Sequence, residues 1–191
     1  MSEEGKVASA RRDAFAAEAM VHLDHLYRVA FHLAKDATEA DDLVQETFVR
    51  ALAAREQFEP GTHMKAWLTK ILHNFFFDYY RQRKRWNSAE EASKVESPDL
   101  ENFAASNPGP ESHVLLKELD AQITGVLRNI PVEFREPIVL VDVGDFSYEE
   151  AAVILSCPIG TIRSRLSRGR KLMHQQLKLY VRGEPTSGTR K

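Results

Sequence analysis

The stretch SYEEAAVILSCPIGTIRSRLSRGRK, residues 147–171, decides how the C-terminal part of this chain folds. Ser147 followed by Glu150 is a capping box, in which the hydroxyl and the carboxylate each bind a backbone N–H that a helix start leaves unpaired. A first helix therefore begins at the next residue. Pro158 suits the first turn of a second helix, where a missing N–H costs nothing. The pattern predicts two short helices hinged at residues 156–160.

The second helix has one apolar face and a basic remainder. Ile159, Ile162, Leu166 and Met173 recur at spacings of three, four and seven, which makes a single buried face. Residues 151–183 contain seven Lys or Arg side chains and no acid. Such a surface suits DNA phosphates and guanine edges, as in helix-turn-helix docking. The alternative is a solvated basic helix that closes a bundle. The other faces carry Arg163, Ser164, Ser167, Arg168 and Lys171.

Helical periodicity continues through most of the chain and strand patterns are scarce, so we predict an all-α protein of two small helical domains. Residues 87–109 are acidic, rich in small residues and interrupted by prolines, which is typical of a flexible linker. The predicted boundaries are a disordered N-terminus (1–13), a first domain (14–86), the linker (87–112), a second domain (113–180) and a flexible tail (181–191).

The net charge of −2 conceals segregation along the chain. Residues 36–59 carry seven acids and two bases, residues 65–86 six bases and one acid, and residues 87–120 eight acids and two bases. No apolar run approaches the ~20 residues of a membrane span, and the N-terminus lacks the hydrophobic core of a signal peptide. We therefore expect a cytoplasmic protein without a membrane partner.

The sequence lacks the common motifs of enzymes and of metal-binding proteins. The single cysteine, Cys157, excludes an internal disulfide and a cysteine-cluster zinc site. The seven histidines are scattered, and no HExxH pair, phosphate-binding glycine loop or GxSxG motif occurs. We predict no catalytic residue, no metal site and no cofactor.

Two helices are predicted in the first half of the N-terminal domain. An apolar stripe from Phe15 to Leu33 predicts a first helix that ends near Lys35, and a second begins at Thr38. Acidic side chains on the second helix can face outward, where they are available to a basic partner, although such faces are ordinarily just solvated. Its inward positions are Leu43, Val44, Thr47, Phe48, Ala51 and Leu52, and its outward ones are Asp41, Asp42, Gln45, Glu46 and Arg50.

A third helix, residues 65–85, mixes aromatic and basic side chains. Aromatic rings beside cations can stack unpaired bases while the cations hold the backbone. So small a domain also needs large side chains in its core, and we assign Trp67, Leu68, Ile71, Leu72 and Phe75 to that role. The preceding turn, residues 58–63, and the polar set are the better candidates for contact; that set is Lys70, His73, Asn74, Tyr80, Arg81, Arg83, Lys84 and Arg85.

Three segments together resemble the extracytoplasmic-function (ECF) branch of the bacterial sigma-70 family. EADDLVQETFVRAL (39–52) is similar to region 2.2, which docks on the coiled coil of the largest polymerase subunit. FEPGTHMKAWLTKILHNFFFDYYRQRKR (58–85) is similar to regions 2.3 and 2.4, which melt and read the −10 element. Residues 130–173 resemble regions 4.1 and 4.2, which read the −35 element.

The resemblance implies a role for each surface. Core RNA polymerase would be bound, at its coiled coil and flap, with a contact set of Asp41, Asp42, Gln45, Glu46 and Phe48. The −10 DNA would be bound by Gly61, Thr62, His63, Lys65, His73, Asn74, Tyr80, Arg81, Arg83 and Lys84, and the loop 61–65 would hold a flipped base. The −35 DNA would be bound by Thr161, Arg163, Ser164, Arg165, Ser167, Arg168 and Lys171.

The implied function is a sigma factor that directs core polymerase to the promoters of a stress regulon and has no enzymatic activity of its own. The pattern resembles the sigma-R and sigma-H redox group, whose partner is a zinc-containing anti-sigma factor. The alternative is a self-sufficient helix-turn-helix repressor or response regulator, which would bind a palindromic operator alone as a dimer.

Three residues depart from the family pattern or call for separate explanation. His63 stands where relatives often have Asn, which affects the −10 preference. Pro137 removes a hydrogen bond and should kink or restart its helix after Glu133. Cys157 precedes the basic helix, where the helix dipole could acidify its thiol and make oxidation weaken −35 binding; the alternative is a small residue packed in the turn.

Overall fold

The computed structural model describes residues 3–90, 123–127 and 129–181, and every regular element in these ranges is helical, which confirms the all-α fold. The N-terminal domain consists of α1 (Glu3–Met20), α2 (Leu23–Ala34), α3 (Ala37–Ala53), a 3-10 turn (Arg55–Gln57) and α4 (Met64–Glu90). The C-terminal domain consists of helical residues 123–127, α5 (Val132–Ile138), a π-helical turn (Val139–Val143), α6 (Tyr148–Ile154) and α7 (Ile159–Val181). The predicted linker beyond residue 90 and the tail beyond residue 181 lie outside the described residues.

The core of the N-terminal domain lies between α2, α3 and α4. Leu26, Leu33, Leu68 and Leu72 are among the largest fully buried side chains. The α3 helix begins at Ala37, one residue before the predicted Thr38, because the carboxylate of Asp36 accepts a hydrogen bond of 2.9 Å from the backbone N–H at residue 39. Its predicted inward positions are all buried or half-buried.

The first predicted helix is in fact two helices, α1 and α2. The chain turns at residues 21–22, and Lys35 ends α2 in the left-handed conformation at φ 70°. Ala19 and Leu26 are buried on either side of the break, so the apolar stripe crosses it unchanged and gives no signal of it. Helix α1 also begins within the segment predicted to be disordered; residues 9–14 of it are exposed, and their Ala and Arg content favours helix without burial.

The helix-turn-helix forms at the predicted residues, although its second helix, α7, has 23 residues and is not short as predicted. The Ser147 hydroxyl accepts from the N–H of Glu150 at 3.1 Å, and the Glu150 carboxylate accepts from the N–H of Ser147 at 2.9 Å. The second of these bonds holds the pKa of Glu150 below its ordinary value. In the turn Ser156 takes a positive φ of 49°. Pro158 lies one residue before α7 instead of in its first turn, and its carbonyl accepts from the N–H of Thr161 at 2.8 Å.

Pro137 does not break its helix after Glu133, contrary to the prediction. Helix α5 continues through Pro137 to Ile138 and then widens into the π-helical turn. The wider turn pairs backbone groups again beyond the proline, since the Gly144 N–H donates to the Val139 carbonyl at 2.8 Å.

The basic helix α7 crosses α5 at very close range. Ile162 and Leu166 on α7 are 0% and 1% exposed. Gly169 lies on the same side, and a Cβ atom there would stand 2.7 Å from the Phe134 carbonyl oxygen and 2.8 Å from the Ile138 Cδ1 atom. Only a residue without a side chain allows this approach, so the crossing fixes which face of α7 points away from the domain.

The two domains pack against each other. Helices α2 and α4 of the N-terminal domain contact α5, the π-helical turn and α6 of the C-terminal domain. His32 Nδ1, for example, lies 3.4 Å from Thr124 Oγ1 across this boundary.

We expect Gly169→Ala to lower the free energy of unfolding by about 1–3 kcal/mol, because the added methyl group overpacks the α5–α7 crossing. Chemical unfolding followed by far-UV circular dichroism measures it. The control is Gly160→Ala, where a Cβ atom meets nothing within 4 Å. Equal stability of the two variants would contradict the close crossing.

The free energy of unfolding should also fall at low pH, because His25 takes up a proton more readily in the unfolded chain. Its burial, together with Lys65 and Arg28, lowers the His25 pKa from 6.5 to about 4. Between these values the unfolded chain binds the proton and the folded chain does not, so the free energy of unfolding decreases as the pH drops from 6.5 toward 4. The contribution lost by pH 5 is about 2 kcal/mol. His25→Gln should flatten the dependence measured by urea unfolding at pH 7 and pH 5; an unchanged slope would exclude His25 as its source.

Candidate nucleic-acid interface

The predicted −35 side chains share the exposed side of α7. Because Ile162, Leu166 and Gly169 face α5, the opposite side of the helix carries the polar and basic residues. Thr161 and Arg165 are half-buried at its edges, and the exposed members are Arg163, Ser164, Ser167, Arg168 and Lys171. The structure therefore brings the whole predicted set together on one helix.

Arg170 is basic but is held away from this surface. Its Nε and Nη2 atoms donate to the two carboxylate oxygens of Asp142 at 3.1 and 2.5 Å, and this pairing raises the Arg170 pKa. This bidentate pair connects α7 to the π-helical turn, so Arg170 has a structural role within the domain.

The Cys157 thiol is not acidified, so that part of the redox hypothesis is wrong. The side chain is half-buried and packs against the hydrophobic core. Burial raises its pKa, and nearby Arg165 offsets this only in part. Desolvation thus outweighs the effect of Arg165, and the thiol is harder to ionise than an ordinary cysteine.

The predicted polymerase-binding side chains lie along α3. Asp41, Asp42 and Gln45 are exposed, and Phe48 is half-buried. Glu46 accepts from Arg50 Nε at 2.7 Å. Arg50 therefore partly neutralises the acidic face at its C-terminal end, while Asp41 and Asp42 are exposed toward its N-terminal end.

Sequence reasoning missed Val49 on the same helix. Its side chain is 61% exposed, four residues after Gln45 and seven after Asp42, so the three share one face. The available signal was a β-branched apolar residue on the outward side of an amphipathic helix. An exposed apolar side chain among acids makes this face better suited to bind a protein partner than a face with charged side chains alone.

The turn before α4 presents its predicted −10 residues to solvent. Gly61 has a φ of 86°, which favours glycine. The Thr62 hydroxyl donates to the Glu59 carbonyl at 2.7 Å and stabilises the turn. The His63 side chain is 85% exposed, and its Nδ1 atom lies 4.0 Å from Glu150 Oε1 of the C-terminal domain.

Farther along α4 the predicted contacts are only partly free. Asn74 is exposed, and the Arg81 guanidinium lies 4.2 Å from the centre of the Phe77 ring. Tyr80 is half-buried and stacks on Phe76 with ring centres 6.0 Å apart. The α4 helix continues through Arg83 and Lys84, but their side chains lie outside what the structure describes.

Two predicted −10 residues face the C-terminal domain instead of solvent. Lys65 Nζ donates to the Gly144 carbonyl at 2.7 Å and lies 4.7 Å from the centre of the Phe146 ring. His73 is 7% exposed, and its Nε2 atom donates to Glu136 Oε1 at 3.1 Å. The structure thus separates the predicted −10 set into an exposed turn and a pair engaged between the domains.

In the part of the chain that the structure describes, no three His, Cys, Asp or Glu side chains are arranged to hold a metal ion. Among the same residues, no helix is both long enough and apolar enough to cross a membrane.

Family models match both halves of the chain. The model for sigma-70 region 2 matches residues 19–86, and the model for sigma-70 region 4 matches residues 121–173. The first covers most of the N-terminal domain. The second covers the helix-turn-helix and the elements that support it.

Two relatives agree with these matches. The chain is 38% identical to the ECF RNA polymerase sigma factor EcfG of Rhodopseudomonas palustris over 92% of this chain and 91% of the relative. It is 36% identical to the ECF sigma factor SigE of Mycolicibacterium smegmatis over 84% of this chain, but spans only 58% of that relative's length. They do not confirm a sigma-R or sigma-H type, which stays a prediction.

Two solved structures are similar in fold. The sigma factor RpoE of Bartonella quintana, solved with the anti-sigma factor NepR, superposes with a TM-score of 0.68 at 33% identity, covering 87% of this chain and 98% of that one. CnrH, solved with the cytosolic domain of CnrY, gives 0.63 at 25% identity, covering 91% and 94%. Two family regions in their expected order, on the fold of such proteins, favour a sigma factor over the self-sufficient repressor. The chain therefore belongs to the sigma-70 family, in its extracytoplasmic-function (ECF) group of RNA polymerase sigma factors.

Proposed function

We propose that the exposed side of α7 reads the −35 element while the N-terminal domain binds core RNA polymerase and the −10 element. The observation that carries this is the α5–α7 crossing, which leaves five of the predicted −35 residues exposed on the other side of α7, with Thr161 and Arg165 half-buried at its edges. The exposed residues are Arg163, Ser164, Ser167, Arg168 and Lys171. Residues 151–183 lack acids, so nothing along this helix repels phosphate.

The N-terminal part of α3 is the proposed core-polymerase contact. Asp41, Asp42 and Gln45 are exposed beside the apolar Val49, and charged side chains around an apolar centre are typical of a protein interface. Carboxylates steer a basic partner and fix its register more than they add affinity.

The turn at residues 61–63 and the exposed side of α4 are the proposed −10 contacts. A flipped base needs a stacking surface and hydrogen-bond partners that offset its unstacking cost. His63 and Asn74 can supply the hydrogen bonds, and Tyr79, which is 42% exposed, can supply a ring. Arg81 can hold the backbone from its position over Phe77.

We also propose control by an anti-sigma factor. RpoE and CnrH were each solved in complex with an anti-sigma factor or with the cytosolic domain of a partner, and both are similar to this chain over most of its length. A zinc-containing partner and a stress regulon stay predictions from the resemblance alone. Because its proposed partners are core polymerase and genomic DNA, we propose that the protein acts in the cytoplasm.

Arg163→Ala or Arg165→Ala should reduce transcription from the protein's promoters about tenfold, because each lost base or phosphate contact costs about 1–3 kcal/mol. Runoff transcription with core polymerase on genomic fragments measures this and maps the promoters. Co-elution with core polymerase should be unchanged. Lys178→Ala, exposed near the end of the same helix, is the control. Full promoter activity in both arginine variants would contradict the assignment.

Asp42→Arg should weaken binding to core polymerase at least about tenfold, since a like charge then faces a basic partner. Competition for core polymerase against a fluorescent sigma factor measures the affinity. Glu18→Arg on α1 makes the same charge change at another exposed site and should bind normally. If both variants bind like the wild type, α3 is not the contact; if the wild type binds an operator tightly without polymerase, the sigma-factor role itself fails.

A further inference from the structure

A groove lies between α1 and the segment that precedes the −10 turn, and all of its lining residues belong to the N-terminal domain. Its volume is about 700 Å³, within the range of pockets that hold a small ligand. One wall is residues 55–60, which form the 3-10 turn and the chain after it. The other wall is one face of α1, whose lining side chains recur at helical spacings of three, four and seven: Arg11, Ala14, Phe15 and Glu18.

The buried side of this groove is aromatic. Phe58, which is buried, and Phe15, which is half-buried, line it with their ring centres 6.0 Å apart in an edge-to-face arrangement. Trp67 packs on both, with its ring centre 6.0 Å from that of Phe15 and 5.4 Å from that of Phe58. Because the three rings hold one another in place, they have little conformational freedom to lose when a planar ligand stacks on them.

Each wall of the groove carries one guanidinium and one carboxylate. The four residues are Arg11 and Glu18 on α1 and Arg55 and Glu56 on the 3-10 turn. Arg55 is held in position, because its Nη1 atom donates to the Leu52 carbonyl at 3.1 Å and its Nη2 atom donates to Glu56 Oε1 at 3.3 Å. A guanidinium has five N–H donors, so Arg55 can make these bonds and still donate to a phosphate.

Rings, guanidinium groups and carboxylates together fit a single nucleotide. A planar base can stack on the rings, its N–H groups can donate to a carboxylate, and its phosphate can accept from a guanidinium. Inorganic phosphate would leave the rings unused and would face two carboxylates. A fully apolar ligand would cover four charged groups without offering them a hydrogen bond, which is costly.

The position of the groove favours an unpaired DNA strand as the source of that nucleotide. Pro60 lines the groove and directly precedes Gly61, where the proposed −10 contact begins. Gly61 and His63 are both exposed. A strand whose base is held at this turn therefore has its neighbouring nucleotides within reach of the groove.

We propose that the groove between α1 and residues 55–60 is a second nucleotide site, which takes one unstacked nucleotide beside the −10 contact. Its base stacks against Phe15, and its phosphate binds Arg11 and Arg55. A DNA strand as the source rests on the proposed −10 role of residues 61–63. A free nucleotide has the same chemistry, and the experiment distinguishes the two sources.

Arg11 and its neighbour Arg12 provide a matched pair of variants. Both side chains are exposed on α1, but only Arg11 lines the groove. Arg11→Ala removes a guanidinium from the site, and Arg12→Ala makes the same change outside it. Neither residue belongs to the proposed polymerase, −10 or −35 contacts. Circular dichroism melting checks that both variants are folded.

Binding to a DNA strand is measured with the holoenzyme formed by this chain and core polymerase. The probe is a fluorescent single-stranded oligonucleotide that carries the −10 non-template sequence of a promoter mapped by runoff transcription. Abasic substitutions are scanned through the nucleotides that flank the −10 sequence. At one flanking position, loss of the base should weaken wild-type binding about fivefold or more, since each stacked base contributes on that order.

The two variants should differ with this probe. Arg11→Ala should weaken binding of the intact strand and lose the dependence on that flanking base, because both groups act in one site. Arg12→Ala should match the wild type with the intact and the abasic strands.

A free nucleotide is tested by isothermal titration calorimetry of the chain with AMP, GMP, CMP or UMP. A Kd below about 0.1 mM that Arg11→Ala abolishes and Arg12→Ala preserves would make the free nucleotide the occupant. Weaker binding, together with the effect of the flanking abasic position, assigns the site to the DNA strand.

The results separate this site from the proposed function. The second nucleotide site is overturned if no flanking base affects binding and no mononucleotide binds, or if Arg11→Ala and Arg12→Ala behave alike in both assays. A holoenzyme that neither binds the −10 strand nor starts a transcript contradicts the proposed function instead. The mononucleotide titration then decides by itself whether the groove binds a nucleotide.

Discussion

The crossing of α5 and α7 at Gly169 is the contact on which the rest of the C-terminal domain depends. A Cβ atom at this position would stand 2.7 Å from the Phe134 carbonyl, so the two helices approach at backbone distance. Ile162 and Leu166 extend the same buried line. Because one side of α7 is buried in this packing, Arg163, Arg168 and Lys171 are exposed on the other side. The position of the proposed DNA-reading surface on α7 therefore follows from which side of the helix is buried.

The same domain also carries a second surface, on the segment that includes the π-helical turn. Gly144 offers a carbonyl to Lys65, and Glu136 offers a carboxylate to His73. Lys65 and His73 belong to the N-terminal domain, so these bonds make the interface between the domains polar. It is also incompletely hydrogen-bonded, since His73 Nδ1 has no partner in the described part of the chain. Polar contacts of this kind give register at a small net gain in free energy, because each replaces a hydrogen bond to water.

Much of the local structure was predictable. The capping box at Ser147, the cap at Asp36 and the spacing of Ile162 and Leu166 each act within a few residues, so the sequence alone sets them. Helix interruptions were harder to predict. The break after Met20 leaves the apolar stripe in phase, and the widened turn beyond Pro137 is a backbone response that side-chain spacing does not encode.

The sequence by itself determined the helical class, the helix-turn-helix, the basic face of α7 and the acidic face of α3, because all of these follow from the order of side chains along one helix. Only the tertiary structure decided which polar and charged side chains are paired or buried within the protein. It pairs Arg170 with Asp142, buries His73 against Glu136 and raises the pKa of Cys157. Each of these depends on groups distant in sequence, and desolvation and ion pairing act on distances in space that no local pattern records.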